Sequence, residues 1–195
     1  MISLVYNIYW WFILLYPNNI KKTYSRNISH AGRGLELEKL INETNKYYLV
    51  NNIAVIYQKP TPIGIQKIKY EGKSIKTTGF LKSKSTLDYV GLYKGKYLDF
   101  DAKSTLNKTS FPLGNISEHQ IKHIVNVINH GGIAFLIIGM NNAIYFFKGE
   151  DLIDFINNHD RKSIPYDYIK ENAFEIKIGI NPRIDYLKII EKIYF

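Results

Sequence analysis

This 195-residue chain is organised around the segment Thr86–Lys103, TLDYVGLYKGKYLDFDAK. Two runs rich in β-branched and aromatic residues flank the dipeptide Lys94-Gly95, which suits a two-residue turn with Gly95 at positive φ. The pattern therefore predicts a β-hairpin in which Tyr93 pairs with Lys96.

The predicted register brings polar residues together on one face of the hairpin. Asp88 lies opposite Asp101 and Thr86 opposite Lys103, and all four share a face because strand side chains alternate. Directly opposed carboxylates, roughly 5 Å apart at Cβ, repel each other. A hard divalent cation such as Mg²⁺ removes the repulsion and also binds substrate phosphates. Lys103 directs an ammonium at the same point, so the pattern indicates phosphate chemistry. The other face is predicted to be the core surface of the hairpin, formed by Leu87, Tyr89, Leu98, Phe100 and Ala102.

Length and charge bound the class of protein. A chain of 195 residues fits one domain with a substantial core. The net charge of +9 and the pI near 9.4 favour polyanionic partners, nucleic acid first and anionic membrane second. Cysteine is absent, which excludes disulfides and thiolate metal sites.

The chain divides into an N-terminal extension, residues 1–32, and a main domain, residues 33–195. Residues 2–16 are uncharged and aromatic-rich, but the run is shorter than the roughly 20 residues of a spanning helix, so we expect no stable membrane insertion. The run is either an ordered arm, packed on the domain or on a partner subunit, or a mobile extension. Residues 21–33 are basic and form a linker able to touch phosphates.

Periodicity outlines the rest of the main domain. The predicted order is α-β-insertion-β-β-α-β-β-α-α, an α/β domain around a mixed sheet. Helices are predicted at residues 36–48, from Ser117 to the Gly131-Gly132 stop, at residues 151–157, and from an Asn181 cap onward, and strands at residues 53–57, 133–139 and 143–148. Residues 161–180 are predicted to be irregular with an edge strand.

The insertion, residues 63–85, is rich in lysine with interspersed aromatic residues. It is either a segment that tracks a nucleic-acid backbone and stacks on unpaired bases or a solvated loop, and the composition favours neither. Arg33, predicted to precede the first helix, would offer a phosphate both a guanidinium and a helix N-terminus. The candidate DNA-binding residues are Arg33, Lys59, Lys73, Lys76, Phe80, Lys82 and Lys108.

Ser117 and Gln120 have the spacing of a capping box. Gln120 therefore has a structural role available, and nothing local distinguishes that role from ligation of a metal or a water. Nearby histidines, His119, His123 and His130, are interpreted as polar-face or capping residues, because no carboxylate or cysteine accompanies them at zinc spacing.

The order of helix, strand, Asp88, Asp101-Ala102-Lys103 and a helix with Gln120 resembles the PD-(D/E)xK, or restriction endonuclease-like, nuclease superfamily. Within it the chain is similar to the RecU family of Holliday junction resolvases, and the likeness spans about residues 33–195. The similar stretches are Arg33-Gly34 with Leu37-Glu38, and residues 42–48, 53–56, 59–63, 93–103, 107–113, 119–121, 131–133, 161–165 and 182–186.

The resemblance implies a structure-specific endonuclease that cleaves four-way DNA junctions. It implies that Thr86, Asp88, Asp101 and Gln120 hold Mg²⁺, or Mn²⁺ in its place, and that Lys103 stabilises the transition state. It also implies a homodimer with two sites, a stalk at residues 63–85 that enters the junction, recombinase and branch-migration proteins as partners, and a cytoplasmic, nucleoid-associated location.

Two departures from the family leave alternatives open. The family usually has Glu at the position of Asp101, and its N-terminal extension is polar, whereas residues 2–16 are apolar. A catalytically silent DNA-binding module is the alternative from another class, and a nuclease that cleaves linear duplex is the alternative enzyme. A membrane binder built on residues 2–16 comes last.

Overall fold

The computed structural model describes residues 30–60, 63–71, 74–81 and 86–195. Its helices are α1 His30–Val50, α2 Glu118–Asn129, α3 Gly149–Asn158, α4 Tyr166–Asn172 and α5 Tyr186–Tyr194. Its strands are β1 Val55–Gln58, β2 Ile63–Glu71, β3 Ser74–Leu81, β4 Tyr89–Tyr93, β5 Lys96–Ser104, β6 Ser110–Pro112, β7 Ile133–Met140, β8 Ala143–Lys148, β9 Ser163–Pro165 and β10 Phe174–Glu175.

A six-stranded mixed sheet is the centre of the fold, with the strand order β1-β4-β5-β7-β8-β10. The β5–β7 pair is parallel and is connected through α2, whereas the other pairs in this sheet are antiparallel. Helices cover both faces, so the predicted α/β class with a mixed sheet flanked by helices is confirmed.

Alternation along the central strands divides the core into two layers. On β7, Phe135 and Ile137 pack toward α1 and α5, whereas Leu136 and Ile138 pack toward α2, α3 and α4. All of these side chains are fully buried, which explains why this strand is almost wholly apolar.

The hairpin β4–β5 follows the predicted register, with Tyr93 paired to Lys96 and Tyr89 to Phe100. Lys94 (φ +46°) and Gly95 (φ +79°) both adopt positive φ, which is the geometry of a type I′ turn. Tyr89, Leu98 and Phe100 are buried toward α1 and α5, as expected. Leu87 is buried in the opposite layer, and the prediction for it was wrong because β4 begins only at Tyr89 and alternation does not extend before it.

Between β1 and β4 the chain leaves the sheet as a hairpin, β2–β3, whose strands pair with each other in a separate two-stranded sheet. We call residues 63–81 the excursion. The predicted insertion therefore contains regular strands, although its composition showed no core periodicity.

Two helix starts differ from the prediction. α1 spans His30–Val50, so Arg33-Gly34 lies inside the helix rather than before it. Gly34 is tolerated there because a single glycine costs a helix only about 1 kcal/mol. α5 begins at Tyr186 with Asp185 as its cap, because Ile184 is instead bridged to Ile178.

Residues 161–180, predicted to be irregular, contain β9 and the short helix α4 as well as the expected edge strand β10. In the part of the chain that the structure describes, no helix combines the length and the apolar character needed to cross a membrane. The apolar run at residues 2–16 lies outside the described residues.

Candidate metal and phosphodiester site

Two carboxyl groups meet where β4 and β5 enter the sheet. Asp88 immediately precedes β4, and the Tyr89–Phe100 pair places it next to Asp101 on β5. Asp88 lies close enough to Asp101 to contribute to the raised pKa of the Asp101 carboxyl group. The structure thus brings together the two acids that the hairpin register predicted to be opposed.

Asp101 is fully buried, and its two oxygens have different surroundings. Oδ2 accepts from Lys103 Nζ at 2.9 Å and from Gln120 Nε2 at 2.7 Å. Oδ1 is buried without a hydrogen-bond partner among the described residues. Burial raises the pKa of Asp101 to about 7, against the lowering effect of Lys103 and with a further increase from Asp88.

Gln120 connects this carboxylate to the start of α2. Its Oε1 accepts from Ser117 N at 3.1 Å, which completes the predicted capping box, and its Nε2 donates to Asp101. The capping role is therefore confirmed. Its role as a metal ligand stays a prediction, since its amide oxygen is occupied by Ser117 in this arrangement.

Thr86 accepts a 3.0 Å hydrogen bond at Oγ1 from Lys59 Nζ. The Lys59 backbone N–H donates to the Asp88 carbonyl oxygen at 2.7 Å. Lys59 follows β1, so the chain that leaves the sheet for the excursion contacts the segment that returns from it. In this structure the Lys59 ammonium contacts a predicted metal ligand, and its role in DNA binding stays a prediction.

Sequence reasoning missed a second buried acid, Asp99, which lies on the same face of β5 as Asp101. Its carboxylate receives Lys59 Nζ on both oxygens at 2.8 Å, and its Oδ2 also meets Tyr97 Oη at 2.9 Å and His123 Nε2 at 2.8 Å. The available signal was the alternation Tyr97, Asp99, Asp101, Lys103, which places a second acid on the polar face.

The other predicted DNA-binding residues are spread along the chain. Lys108 is exposed in the connection between β5 and β6, and its carbonyl accepts from Asn141 Nδ2 at 2.8 Å. Lys76 and Phe80 lie on β3 of the excursion, and Arg33 lies in α1. Lys73 and Lys82 lie outside the described residues.

A divalent cation fits the Asp88–Asp101 pair by the chemistry of its donors. Asp101 Oδ1 is a buried carboxylate oxygen that no described donor satisfies, and an unsatisfied oxygen in that position is costly. Oxygen ligands of this kind suit Mg²⁺, which is held by one or two carboxylates plus waters and substrate phosphates. Within the described ranges no three His, Asp or Glu side chains gather as a metal-binding group.

The arrangement can therefore bind a cation and neutralise a phosphate at one point. The carboxylates provide negative charge for the ion. Lys103, with its ammonium beside Asp101 and its side chain 21% exposed, provides positive charge at the edge of the site.

Comparison with known proteins gives the family. The sequence profile described as "RecU: Recombination protein U" matches residues 32–192. "Holliday junction resolvase RecU" of Bacillus subtilis (strain 168) is 47% identical over 172 residues, covering 86% of this chain and 84% of that protein. The protein of the same name from Bacillus cytotoxicus is 45% identical over 182 residues, covering 90% and 91%. Among solved structures, Archaeoglobus fulgidus Hjc, titled a Holliday junction resolvase, aligns with a TM-score of 0.42 and 14% identity over 74% of this chain and 95% of Hjc. With most of its length matched by the profile and by relatives above 40% identity, the chain belongs to the RecU family.

Proposed function

We propose that this chain resolves four-way DNA junctions by magnesium-dependent hydrolysis of phosphodiester bonds at the Asp88–Asp101 pair. As a RecU protein the chain is a Holliday junction resolvase, an endonuclease of recombination and repair. The proposal adds the metal, the residues that hold it and the part that each residue plays.

One observation carries the assignment of the site. Asp101 is buried and bound on Oδ2 by Lys103 and Gln120, while its Oδ1 has no donor among the described residues and the Asp88 carboxyl group lies beside it. Asp101 is buried and Asp88 half-buried beside it, and two adjacent acids in such a position are unfavourable for folding unless a positive group joins them. A role in binding a cation explains why the fold keeps them.

The ion would be held by Asp88 and Asp101, with Thr86 and Gln120 as the further ligands that the family resemblance suggests. When bound, Mg²⁺ polarises a nonbridging phosphate oxygen and lowers the pKa of a bound water, which supplies the nucleophile for phosphodiester hydrolysis.

Residues of the chain orient the Asp101 carboxylate and offset the negative charge of the phosphate. Gln120 and Lys103 both hold Oδ2 of Asp101, so the carboxylate is fixed with Oδ1 directed away from them. The Lys103 ammonium offsets negative charge that grows on the phosphoryl oxygens and helps to orient the attacking water. Because Lys103 lies at a fixed distance of 2.9 Å from Asp101, it needs little reorganisation when the charge develops.

DNA recognition is assigned to basic residues around this site. The chain leaves the sheet at Lys59, before the excursion, and approaches it again at Thr86, after the excursion. These two residues are hydrogen-bonded to each other, so the base of the excursion adjoins the candidate site. Lys73, Lys76, Phe80 and Lys82 of the insertion, together with Arg33 and Lys108, are proposed to contact the junction backbone and unpaired bases. A homodimer would supply two such sites for two opposing strands, and recombinase and branch-migration proteins are proposed partners in the cytoplasm.

A junction-cleavage assay tests the function. The purified protein is incubated with a labelled four-way junction and with a linear duplex of the same sequence, each with Mg²⁺ and with EDTA. We expect paired nicks in the junction only with Mg²⁺. Binding without nicks would instead establish the catalytically silent module, which the Asp at position 101 favours, and equal cleavage of the linear duplex would establish a duplex nuclease.

A further inference from the structure

Asp99 is a buried carboxylate that the proposed chemistry does not use. It is 0% exposed and receives three different donors, from Lys59, Tyr97 and His123. Of the three donors, Lys59 makes the most extensive contact, because its ammonium lies 2.8 Å from each of the two carboxylate oxygens. Such two-oxygen contact fixes the position of Nζ more tightly than a single hydrogen bond.

Lys59 also makes two hydrogen bonds to residues of the candidate metal site. The same Nζ donates to Thr86 Oγ1 at 3.0 Å, and the backbone N–H of Lys59 donates to the Asp88 carbonyl oxygen at 2.7 Å. One residue therefore links Asp99 to two of the proposed ligand positions, neither of which Asp99 contacts in a described hydrogen bond.

We propose that Asp99 is a positioning residue for the metal site, which acts through Lys59 to hold Thr86 and Asp88 in place at the base of the excursion. The inference rests on the proposed function, since it requires that these residues hold the cation. It also connects the excursion to the site, because Lys59 lies where the chain leaves the sheet and Thr86 where it returns.

A purely structural role accounts less well for this pair. A buried ion pair is often no more stabilising than apolar side chains of similar volume, because both charges must be desolvated. Lys59 is only 20% exposed and Asp99 not at all, so the pair bears that desolvation penalty. Residues that orient the ligands of a metal commonly affect metal affinity about 10- to 100-fold.

The test separates positioning from stability by removing both charges together. The double variant Lys59→Met/Asp99→Asn keeps the side-chain volumes and leaves no unpaired buried charge, so its Tm in EDTA should stay within a few degrees of wild type. Two readouts follow for each protein: the rise in Tm during a Mg²⁺ titration without DNA, and junction cleavage as a function of Mg²⁺ concentration. We expect the double variant to need about tenfold more Mg²⁺ than wild type in both readouts.

Lys148→Met is the matched control. It removes another partly buried lysine, 26% exposed and paired with Asp151 at 3.0 Å, that has no contact with the site. Its Mg²⁺ requirement should equal that of wild type. Should the double variant fail to fold, the nearly isosteric Asp99→Asn gives the same two readouts with the same expected direction.

The outcomes distinguish the two proposals. A folded double or single variant with a wild-type Mg²⁺ requirement overturns the positioning role and leaves the proposed function intact. A wild-type protein that shows no Mg²⁺-dependent rise in Tm and no cleavage overturns the proposed function and this inference with it.

Discussion

Gln120 Nε2 donates a 2.7 Å hydrogen bond to Oδ2 of Asp101, and this contact joins the first turn of α2 to the central strand β5. The Oε1 of the same amide accepts from the cap residue Ser117, so both ends of the Gln120 side chain are fixed. The helix cap thus determines which oxygen of Asp101 is bound by protein and which is left for a ligand.

Gln120→Glu should make the metal-free protein less stable and more responsive to Mg²⁺. Glu keeps an acceptor for Ser117, as in the usual capping box, but replaces a donor to Asp101 with a like charge. We expect a loss of about 1–3 kcal/mol in EDTA at pH 8 and a larger Mg²⁺-induced rise in Tm than in wild type. Thermal unfolding with EDTA and with Mg²⁺ measures both. Glu118→Gln, a change at an exposed neighbouring residue, is the control. A Mg²⁺-induced rise in Tm that is the same in Gln120→Glu as in wild type would count against a metal site at Asp101.

Asp88→Asn should abolish cleavage while junction binding persists. The variant loses one of the two charged metal ligands. Because a bound metal ion supplies several kcal/mol of transition-state stabilisation, its loss should lower the cleavage rate by at least about 10³-fold. In EDTA the variant should be at least as stable as wild type, because a neutral amide beside Asp101 removes the like-charge repulsion. Junction nicking and gel-shift affinity are the measurements, with Asp160→Asn, an exposed acid in a loop, as the control. Wild-type cleavage by Asp88→Asn would remove the proposed mechanism.

The pKa of Asp101 predicts how stability changes with pH. Because this pKa is raised from 3.8 to about 7 on folding, the folded state holds the proton more tightly than the unfolded state. The resulting stabilisation is fully present below about pH 4 and is lost as the pH rises to about 7. Asn at position 101 cannot titrate, so the Asp101→Asn variant does not lose this stabilisation. Between about pH 4 and pH 7 its free energy of unfolding should therefore rise relative to that of wild type, by up to roughly 4 kcal/mol. Urea unfolding in EDTA at several pH values tests the trend, and a constant difference between the two proteins would contradict it. Added Mg²⁺ at pH 8 should stabilise wild type and not the variant.

Contacts between residues close together in the sequence could be predicted, whereas contacts between distant segments could not. The hairpin register followed from Lys94-Gly95 alone, because a two-residue turn fixes every later pair, and so Asp88 and Asp101 were placed together correctly. Leu87 was misplaced because alternation holds only within a strand, and β4 begins two residues later.

Asp99 could not be understood from its own segment. Its partners Lys59 and His123 lie 40 and 24 residues away, and only the folded sheet brings them together. The start of α5 was missed for a similar reason. The sequence analysis predicted Asn181 as the cap, whereas Ile184 is bridged to Ile178, a tertiary contact, and Asp185 caps the helix.

Lys103→Met should reduce turnover more than DNA affinity. The change keeps the aliphatic stem but removes the charge that offsets the phosphoryl oxygens, a contribution of about 10²- to 10³-fold in rate for a well-placed donor. Asp101 would also lose the ammonium that holds its pKa down, so the remaining activity should require higher pH. Single-turnover cleavage across pH 6–9 and junction affinity give the two readouts. Lys122→Met, an exposed lysine on α2, is the control, and an equal loss of affinity and rate would mean that Lys103 mainly binds DNA.

Replacing the excursion by a short linker should leave the fold intact and weaken junction binding. Among the strands that the structure describes, β2 and β3 pair only with each other, so removing them takes no strand from the six-stranded sheet. Ile63 and Leu81 are paired across the hairpin, and paired strands lie about 5 Å apart, so a Gly-Ser linker of about six residues in place of residues 64–80 closes the gap without strain.

The linker variant should unfold cooperatively and keep its Mg²⁺-dependent rise in Tm, while its junction affinity falls about tenfold or more and depends less steeply on salt. A second variant, whose linker carries the four lysines of the replaced segment, separates charge from shape. If affinity returns with the lysines but preference for the junction over linear duplex does not, the excursion reads the shape of the junction. If the preference for the junction also returns with the lysines, the charge of the excursion is sufficient for recognition. If the plain Gly-Ser linker variant binds the junction and discriminates against linear duplex as wild type does, the excursion is not part of the interface.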